Sequence, residues 1–358
     1  MSEQRLYQVN YSSGTPSLEV VHASVPDPQD DEVLIKHTAI GINFQDYEYY
    51  RQIPANKSNL IIPKTKLGRV IKAIKKVVMG FSTTANNINP IVPGMEAVGT
   101  IAKLGKSVKD FKLGQRVGYC TIPYGAYSYY RTIKSNYVFA IPDQISDEAA
   151  ATNLTKGMTA HYLMRRTFYV RPDMTILIHA GSSAVGQAMI RLAREYNAVV
   201  ITTVGHNDKI HIVKNLGVKR EHILNYNDDN WVKKVKEITN FKGVNVVYDC
   251  LGKQTVVNSI NCLMSFGLMV IFGQITGSIA VIDPKLLTRK SLFLTMPHLQ
   301  YYKQNNIELL LSSLEVFALI EKGVFSQKPA KIYSFKDIPQ AINDIATRSH
   351  PGAKIIVL

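Results

Sequence analysis

The chain is poor in cysteine. Its 358 residues include three, Cys120, Cys250 and Cys262, odd in number and far apart. That excludes a disulfide framework and a metal knuckle, and it suits a reducing cytoplasm. Long hydrophobic runs are missing too. No apolar stretch approaches the ~18 residues of a membrane span, and the opening MSEQRLYQVN carries no secretory-type apolar segment. Acidic residues are scarce: 42 Lys and Arg stand against 27 Asp and Glu, a net charge of +15. A surface of that sign attracts polyanions such as nucleotides, RNA and acidic membranes, or simply carries solvated lysines. The scarcity is extreme between Tyr49 and Met95, where no acid occurs. Apolar mass is in normal supply. A content of 46% hydrophobic and 19% charged residues excludes general disorder, and the length accommodates two domains with full cores.

The most informative segment runs from Thr175 to Lys209. A short apolar run, Thr175 to His179, meets a small-residue turn and then a helix-period stretch from Val185 to Tyr196. A second apolar run, Ala198 to Val204, follows. Strand, tight turn, helix and strand over this length make a βαβ unit. The turn Gly181-Ser182-Ser183-Ala184-Val185-Gly186 lets backbone N–H groups approach a pyrophosphate, with the helix N-terminus adding partial positive charge. One glycine of the G-x-G-x-x-G pattern is absent, because Ser183 takes its place. The competing reading is an ordinary strand–helix connection capped by a serine.

The end of the second strand indicates which nucleotide is bound. NAD sites place Asp or Glu there for the ribose 2′-OH. Here the chain reads Val204-Gly205-His206-Asn207-Asp208-Lys209. No carboxylate sits at the strand end, Asp208 is expected to cap the next helix, and His206 and Lys209 are placed for a 2′-phosphate. NADPH is favoured over NADH.

The expected fold class is α/β in two parts. Strand-like segments at 18–21, 32–39, 97–105 and 114–119, punctuated by glycine and proline, suggest a small barrel. A helix opening at Ser146-Asp147-Glu148 and a second over about 156–168 lead into the βαβ region. That region continues through strands at 223–226, 244–249 and 267–273 with helices at 231–239 and 255–264. Such alternation means a doubly wound parallel sheet. A long helix at 307–322 and a strand at 353–357 close the chain.

Several segments together resemble the zinc-independent quinone oxidoreductase branch of the medium-chain dehydrogenase/reductase superfamily, which includes zeta-crystallin. They are Ala39 to Asp46 (AIGINFQD), Pro93 to Gly99 (PGMEAVG), Lys156 to Ala160 (KGMTA), Tyr248 to Gly252 (YDCLG) and Gly267 to Gly273 (GLMVIFG). The resemblance implies a GroES-like β-barrel catalytic domain over 1–145 and 300–358, with an insertion at about 56–88. It implies a Rossmann doubly wound parallel-sheet domain, binding NADPH, over 146–299. Its implied catalytic residues are Asn43, Asp46 and Thr159. Lys156, Lys209, Tyr226, Phe272, Gly273 and Arg348 join the turn and His206 as cofactor residues. Lys156 and Thr159 are expected at a helix start, and Tyr47, Tyr49 and Tyr50 as walls of the substrate cleft.

Zinc-using relatives need three protein ligands, including a histidine from a Gly-His-Glu segment and a cysteine near position 43. Met95 and Asn43 stand at those places, and methionine is a soft, uncharged ligand unsuited to the task. No metal is expected. The implied activity is reduction of a quinone by NADPH. One alternative is reduction of an alkenal or enone C=C bond, which needs a proton donor. The other is RNA binding of the zeta-crystallin kind, which the net charge alone favours. A homodimer is expected across an apolar sheet edge at Gly267 to Gly273. In the insertion, Val70, Ile74, Val77, Val78 and Phe81 keep helical spacing, with Arg69, Lys72 and Lys76 on another face. That pattern fits a helix packed on the barrel, or a basic amphipathic helix on RNA or an acidic membrane.

Overall fold

The structure, a computed structural model, describes residues 3–10, 16–52, 91–303 and 305–358. The basic insertion expected at 56–88 lies outside the described residues. Along the chain the first strands are β1 (Glu3–Asn10), β2 (Ser17–Ser24), β3 (Glu32–Ile42), β4 (Glu96–Leu104), β5 (Arg116–Cys120), β6 (Tyr130–Lys134) and β7 (Phe139–Ala140). The middle of the chain supplies β8 (Thr175–Ile178), β9 (Val199–Val204), β10 (Ile223–Asn225), β11 (Val244–Asp249), β12 (Leu263–Ile271) and β13 (Phe293–Thr295). The last two strands are β14 (Lys331–Ser334) and β15 (Lys354–Val357).

Two compact units result. The first comprises Met1–Pro142, Ile332–Ser349 and Lys354–Leu358. Its main sheet runs β14-β15-β3-β4-β5-β7, with β6 also on β3. β15 enters the interior of this sheet, antiparallel to β3, with Lys354 opposite Ile42 and Val357 opposite Ala39. β3 is buried along nearly its whole length, as a strand covered on both faces must be. Irregular register at His37/Ala39 brings β3 onto β4 so closely that a Cβ on Gly99 would meet the Lys36 carbonyl oxygen at 2.1 Å. Val33, Ile35, Ile40, Tyr119, Tyr127 and Ile356 centre its core.

The second unit comprises Asp143–Lys331 and His350–Ala353. Its six strands run β10-β9-β8-β11-β12-β13, and every pair is parallel. Numbered within the unit, that is the order 3-2-1-4-5-6, the doubly wound arrangement with its switch point between β8 and β11. Leu177, Ile201, Val235, Val247 and Met269 anchor the core.

Several expectations need correction. Residues 300–331 group with the parallel unit and not with the first. The Asn306–Glu321 helix explains why. His161 Nε2 meets Glu315 at 2.9 Å, and a Cβ on Gly157 would touch Val316 and Phe325 at 3.1 Å. The two helices expected between 147 and 168 are one, Asp147–His161, capped by Ser146 and continued by a π turn over Tyr162–Thr167. Nearly every residue of that helix is buried, so no polar face interrupts it. Lys156 and Thr159 therefore lie inside a helix, not at its start. Asp208 caps nothing with its side chain; it sits in a 3-10 turn, Asn207–Lys209, that precedes a short helix, Ile210–Lys214. Finally, β12 is not the sheet edge. β13 lies outside it and exposes Phe293 and Leu294.

Candidate functional site

The dinucleotide turn forms because its residues are small where the backbone is crowded. After β8 the chain turns through Ala180, which has φ 53°. A Cβ on Gly181 would meet Thr202 Oγ1 at 2.2 Å, and one on Gly186 would meet the Ala180 carbonyl oxygen at 2.4 Å. Both glycines are sterically required. The helix Ala184–Glu195 then starts, with the Ser183 side chain accepting from Gly186 N at 3.0 Å. Ser183 is thus an N-cap, and the turn keeps its approach to the backbone despite the missing glycine. Ser182 is buried, and Ala184 and Val185 are partly exposed at the helix end.

Beside the turn, Lys156, Thr152, Asn153 and Arg191 line a cavity of ≈ 280 Å³ together with Ala184 and Lys328. Its charged lining is all basic. It is smaller than the roughly 300–1,000 Å³ of whole-ligand pockets and has room for a phosphate or a ribose. Thr159, one turn further along the helix, is half-buried and does not line it.

At the ends of β9 and β10, Tyr226 N bonds the Val204 carbonyl at 3.1 Å. The Tyr226 hydroxyl lies over Gly205, where a Cβ would meet it at 2.5 Å. Lys209 is half-buried and His206 exposed on the same edge. Phe272 N donates to the Asp249 carbonyl at 2.9 Å, and Gly273 packs on Cys250, whose carbonyl oxygen a Cβ would meet at 2.9 Å. The parallel unit therefore gathers the turn, His206, Lys209 and Tyr226 with Phe272 and Gly273 along the C-terminal ends of its strands, where open α/β sheets bind ligands.

Sequence reasoning missed a group beneath these loops. His179, the residue after β8, contacts Thr203 Oγ1 through Nδ1 at 2.8 Å and Ser259 Oγ through Nε2 at 2.9 Å. Ser259 donates to Asp249 Oδ2 at 2.9 Å, and Thr255 donates to the same oxygen at 2.7 Å. Asp249 Oδ1 accepts from Leu251 N at 2.7 Å and Gly252 N at 3.0 Å. His179 and Asp249 are fully buried. Burial lowers the pKa of His179, against the opposing pull of Asp249. The available signal is a polar residue directly after an apolar run: His179 after Ile176–Ile178, and Asp249 after Val246–Tyr248.

The first unit holds the other expected residues. Asn43 N donates to Asp46 Oδ2 at 2.9 Å, and Tyr127 OH donates to the same oxygen at 3.1 Å. Asn43 Nδ2 donates to Glu96 Oε1 at 3.0 Å. Glu96 is buried against Gly41, whose Cβ, if present, would overlap its carboxylate. The amide of Asn43 is thus oriented by a buried acid. Tyr47 and Tyr49 lie on the Phe44–Gln52 helix, and Tyr50 follows them. Tyr49 stacks on Tyr124, with ring centroids 3.8 Å apart. Burial raises the pKa of both phenols, with Asp46, Tyr49 and Glu48 adding to it at Tyr124. Arg348 is exposed at φ 56° after the Ile338–Ala346 helix.

The donors near Asn43 do not suit zinc. Met95 offers a buried thioether, and Asn43 gives its amide proton to Glu96. Among the described residues, no group of three or more His, Cys, Asp or Glu could hold a metal ion. No helix there is long and apolar enough to cross a membrane.

Residues 29–143 match the family described as alcohol dehydrogenase GroES-like domain, and residues 184–314 match the one described as zinc-binding dehydrogenase. The chain is 33% identical over 347 residues to quinone oxidoreductase 1 of Escherichia coli strain K12, covering 96% of each. It is 32% identical over 340 residues to a 2-haloacrylate reductase of Burkholderia sp., covering 93% of this chain and 92% of that one. The crystal structure of Escherichia coli quinone oxidoreductase complexed with NADPH superimposes with a TM-score of 0.82 at 31% identity, covering 99% of this chain and 100% of that one. The chain belongs to the zinc-independent quinone oxidoreductase branch of the medium-chain dehydrogenase/reductase superfamily.

Proposed function

We propose that the protein is an NADPH-dependent quinone reductase that works without zinc. The observation that carries this is the C-terminal edge of the parallel sheet. A glycine-spaced turn closes on a helix N-terminus there, and the neighbouring strand end offers Lys209 and the Tyr226 hydroxyl in place of a carboxylate. The two glycines let the turn pack closely on Thr202 and Ala180, and the helix that opens at Ala184 turns its positive end and free N–H groups to an anion, so the residues present fit the cofactor. When bound, NADPH supplies the hydride. The residues of the chain bind and orient. The 181–186 turn receives the pyrophosphate. Lys209, His206 and Tyr226 receive the 2′-phosphate by charge and hydrogen bonding. Lys156, Phe272, Gly273 and Arg348 complete the cofactor contacts. Asn43, held by Glu96 and next to Asp46, presents an ordered amide to the nicotinamide or a quinone oxygen. Quinone reduction needs little acid–base machinery beyond position and exclusion of water.

A second reading, reduction of C=C bonds, is favoured by the stacked Tyr49–Tyr124 pair. Burial keeps both phenols protonated, and a protonated phenol can deliver the proton an α-carbon requires. NADPH oxidation with a panel of quinones and alkenals, with and without chelator, tests both. Quinone turnover that resists chelation supports the first reading. Turnover of alkenals alone favours the second, and loss of activity on chelation overturns the zinc-free assignment.

The finer readings follow from the same site. The first unit acts as the catalytic domain, with Thr159 of the parallel unit near the nicotinamide. A homodimer forms across β13, whose exposed Phe293 and Leu294 suit a paired edge. The protein works in the cytoplasm, where its three buried cysteine thiols stay reduced. Residues 56–88 serve as an insertion that tunes substrate preference, and their lysines and arginines are the place to test for RNA or acidic membranes. Deleting them should leave NADPH binding intact.

A further inference from the structure

The buried side chains under the dinucleotide loops have a fixed polarity. Both oxygens of Asp249 accept, and Ser259 directs its single proton to one of them. The Ser259 oxygen therefore accepts from His179 Nε2–H. That leaves Nδ1 as the acceptor on the imidazole, and the Thr203 hydroxyl donates to it. The chain of donation runs Thr203 to His179 to Ser259 to Asp249, with one tautomer of His179 and no member unsatisfied. The Trp231 ring meets the imidazole edge-on, with centroids 5.3 Å apart.

Each link sits under a different loop of the site. His179 immediately precedes Ala180 and the pyrophosphate turn, whose Gly181 N bonds the Thr203 carbonyl at 2.9 Å. Thr203 is two residues before Gly205, on which Tyr226 rests. Asp249 fixes the backbone of Leu251 and Gly252. The carbonyls of Asp249, Cys250 and Leu251 in turn receive the amides of Phe272 at 2.9 Å, Ile275 at 3.1 Å and Thr276 at 2.8 Å. The imidazole bridges β8 and β9 to the Asp249 end of β11, across the point where the strand order reverses. A fully satisfied buried polar chain admits one arrangement, whereas apolar contacts would let these loops slide.

We infer that His179 is a positioning residue for the cofactor. Through Thr203, Ser259 and Asp249 it holds the pyrophosphate turn, the 2′-phosphate loop and the 272–276 segment in one register, so its loss weakens NADPH binding and leaves the hydride step alone. The inference rests on the reading of this edge as the NADPH site.

The test uses the purified full-length chain. NADPH affinity is read from the fluorescence of the nicotinamide on titration, alongside Tm and steady-state kinetics. His179→Phe keeps a ring in place and removes both hydrogen bonds, stranding two hydroxyls. It should raise the Kd for NADPH about tenfold. Ser259→Ala cuts the chain once and should raise Kd severalfold. His179→Gln, which can again donate to Ser259, should recover part of the loss. In all three, kcat at saturating NADPH should stay within about twofold of wild type, because only binding is affected. If His179→Phe does not fold, Ser259→Ala decides alone. Variants that lower Tm but bind NADPH as tightly as wild type overturn the inference, as does a fall in kcat with Kd unchanged. A wild-type chain that fails to bind NADPH overturns the functional reading itself, and the inference with it.

Discussion

His37 in the antiparallel unit and His179 in the parallel one are both buried and both hydrogen-bonded through each ring nitrogen. Their partners differ. His37 Nδ1 donates to the Ser128 carbonyl at 2.7 Å, and Nε2 accepts from Tyr119 OH at 2.9 Å. The Arg131 guanidinium lies over the Tyr119 ring at 4.6 Å. Burial pushes the pKa of His37 down to about 4, and Arg131 pushes the same way against the Ser128 carbonyl. The ring nitrogens of His179 meet side chains, Thr203 and Ser259, and a carboxylate lies close by, Asp249 Oδ2 at 3.9 Å. The first imidazole is pinned to the Ser128 backbone and ties β3 to β5. The second joins buried side chains under a set of loops. One is a fastening of the fold; the other lies beneath the loops at the C-terminal ends of the parallel strands.

The comparison breaks first at Asp249. Four donors converge on it, and each left unpaired in a dry interior costs about 1–3 kcal/mol. Asp249→Ala should cost more than about 3 kcal/mol in urea unfolding; a loss below about 1 kcal/mol would mean the parallel unit does not depend on this centre.

His37 gives the next largest effect, as a pH dependence. Folded His37 refuses a proton until about pH 4, whereas the unfolded chain accepts one near the ordinary value of 6.5. Its contribution is complete above pH 6.5 and drains away as pH falls from 6.5 towards 4, by on the order of 3 kcal/mol. His179 acts in the same direction, since its pKa is also lowered. Unfolding midpoints at pH 7.5, 5.5 and 4.5 should fall steeply in wild type and less in His37→Gln. Parallel curves would show that His37 is not the group responsible.

Lys209 sharpens the contrast from the ligand side. Lys209→Ala should raise KM for NADPH about tenfold, the worth of one charge-assisted contact, and leave NADH unchanged. Equal losses with both cofactors would remove Lys209 from the 2′-phosphate. The smallest effect is expected at Ser183. Ser183→Ala should cost about 1 kcal/mol of stability as a lost N-cap, read as a lower urea midpoint, with NADPH affinity barely moved. A large loss of affinity would make its hydroxyl a phosphate donor in its own right.

What the sequence disclosed was what is local. The run from Thr175 to Val204 alternates strand, turn and helix within one window, and the structure places β8, the Ala184–Glu195 helix and β9 there. Asn43 and Asp46 were found three residues apart and do bond each other. What escaped depends on distant partners. His179 meets residues 24 and 80 positions away, which no periodicity reports. The Asn306–Glu321 helix is visible in the sequence, but its seat on the Asp147–His161 helix is not, so 300–331 reads with the first unit there and groups with the parallel unit in the structure. The Asp147–His161 helix was split in two because its apolar residues follow no single face. The role of Glu96 in orienting Asn43 needed the fold as well, since 53 residues separate the pair.

The position of β15 has a consequence for how the molecule is made. Residues 39–42 of β3 wait for Lys354–Val357 as their partner on that side, and every strand of the parallel unit is synthesised in between. A ribosome therefore releases the parallel sheet's residues while β3 still shows an unpaired, apolar edge, the kind of surface that recruits other chains. The antiparallel unit is thus completed only after the parallel one, and Ala39–Ile42 stay without this partner until Lys354–Val357 has been made.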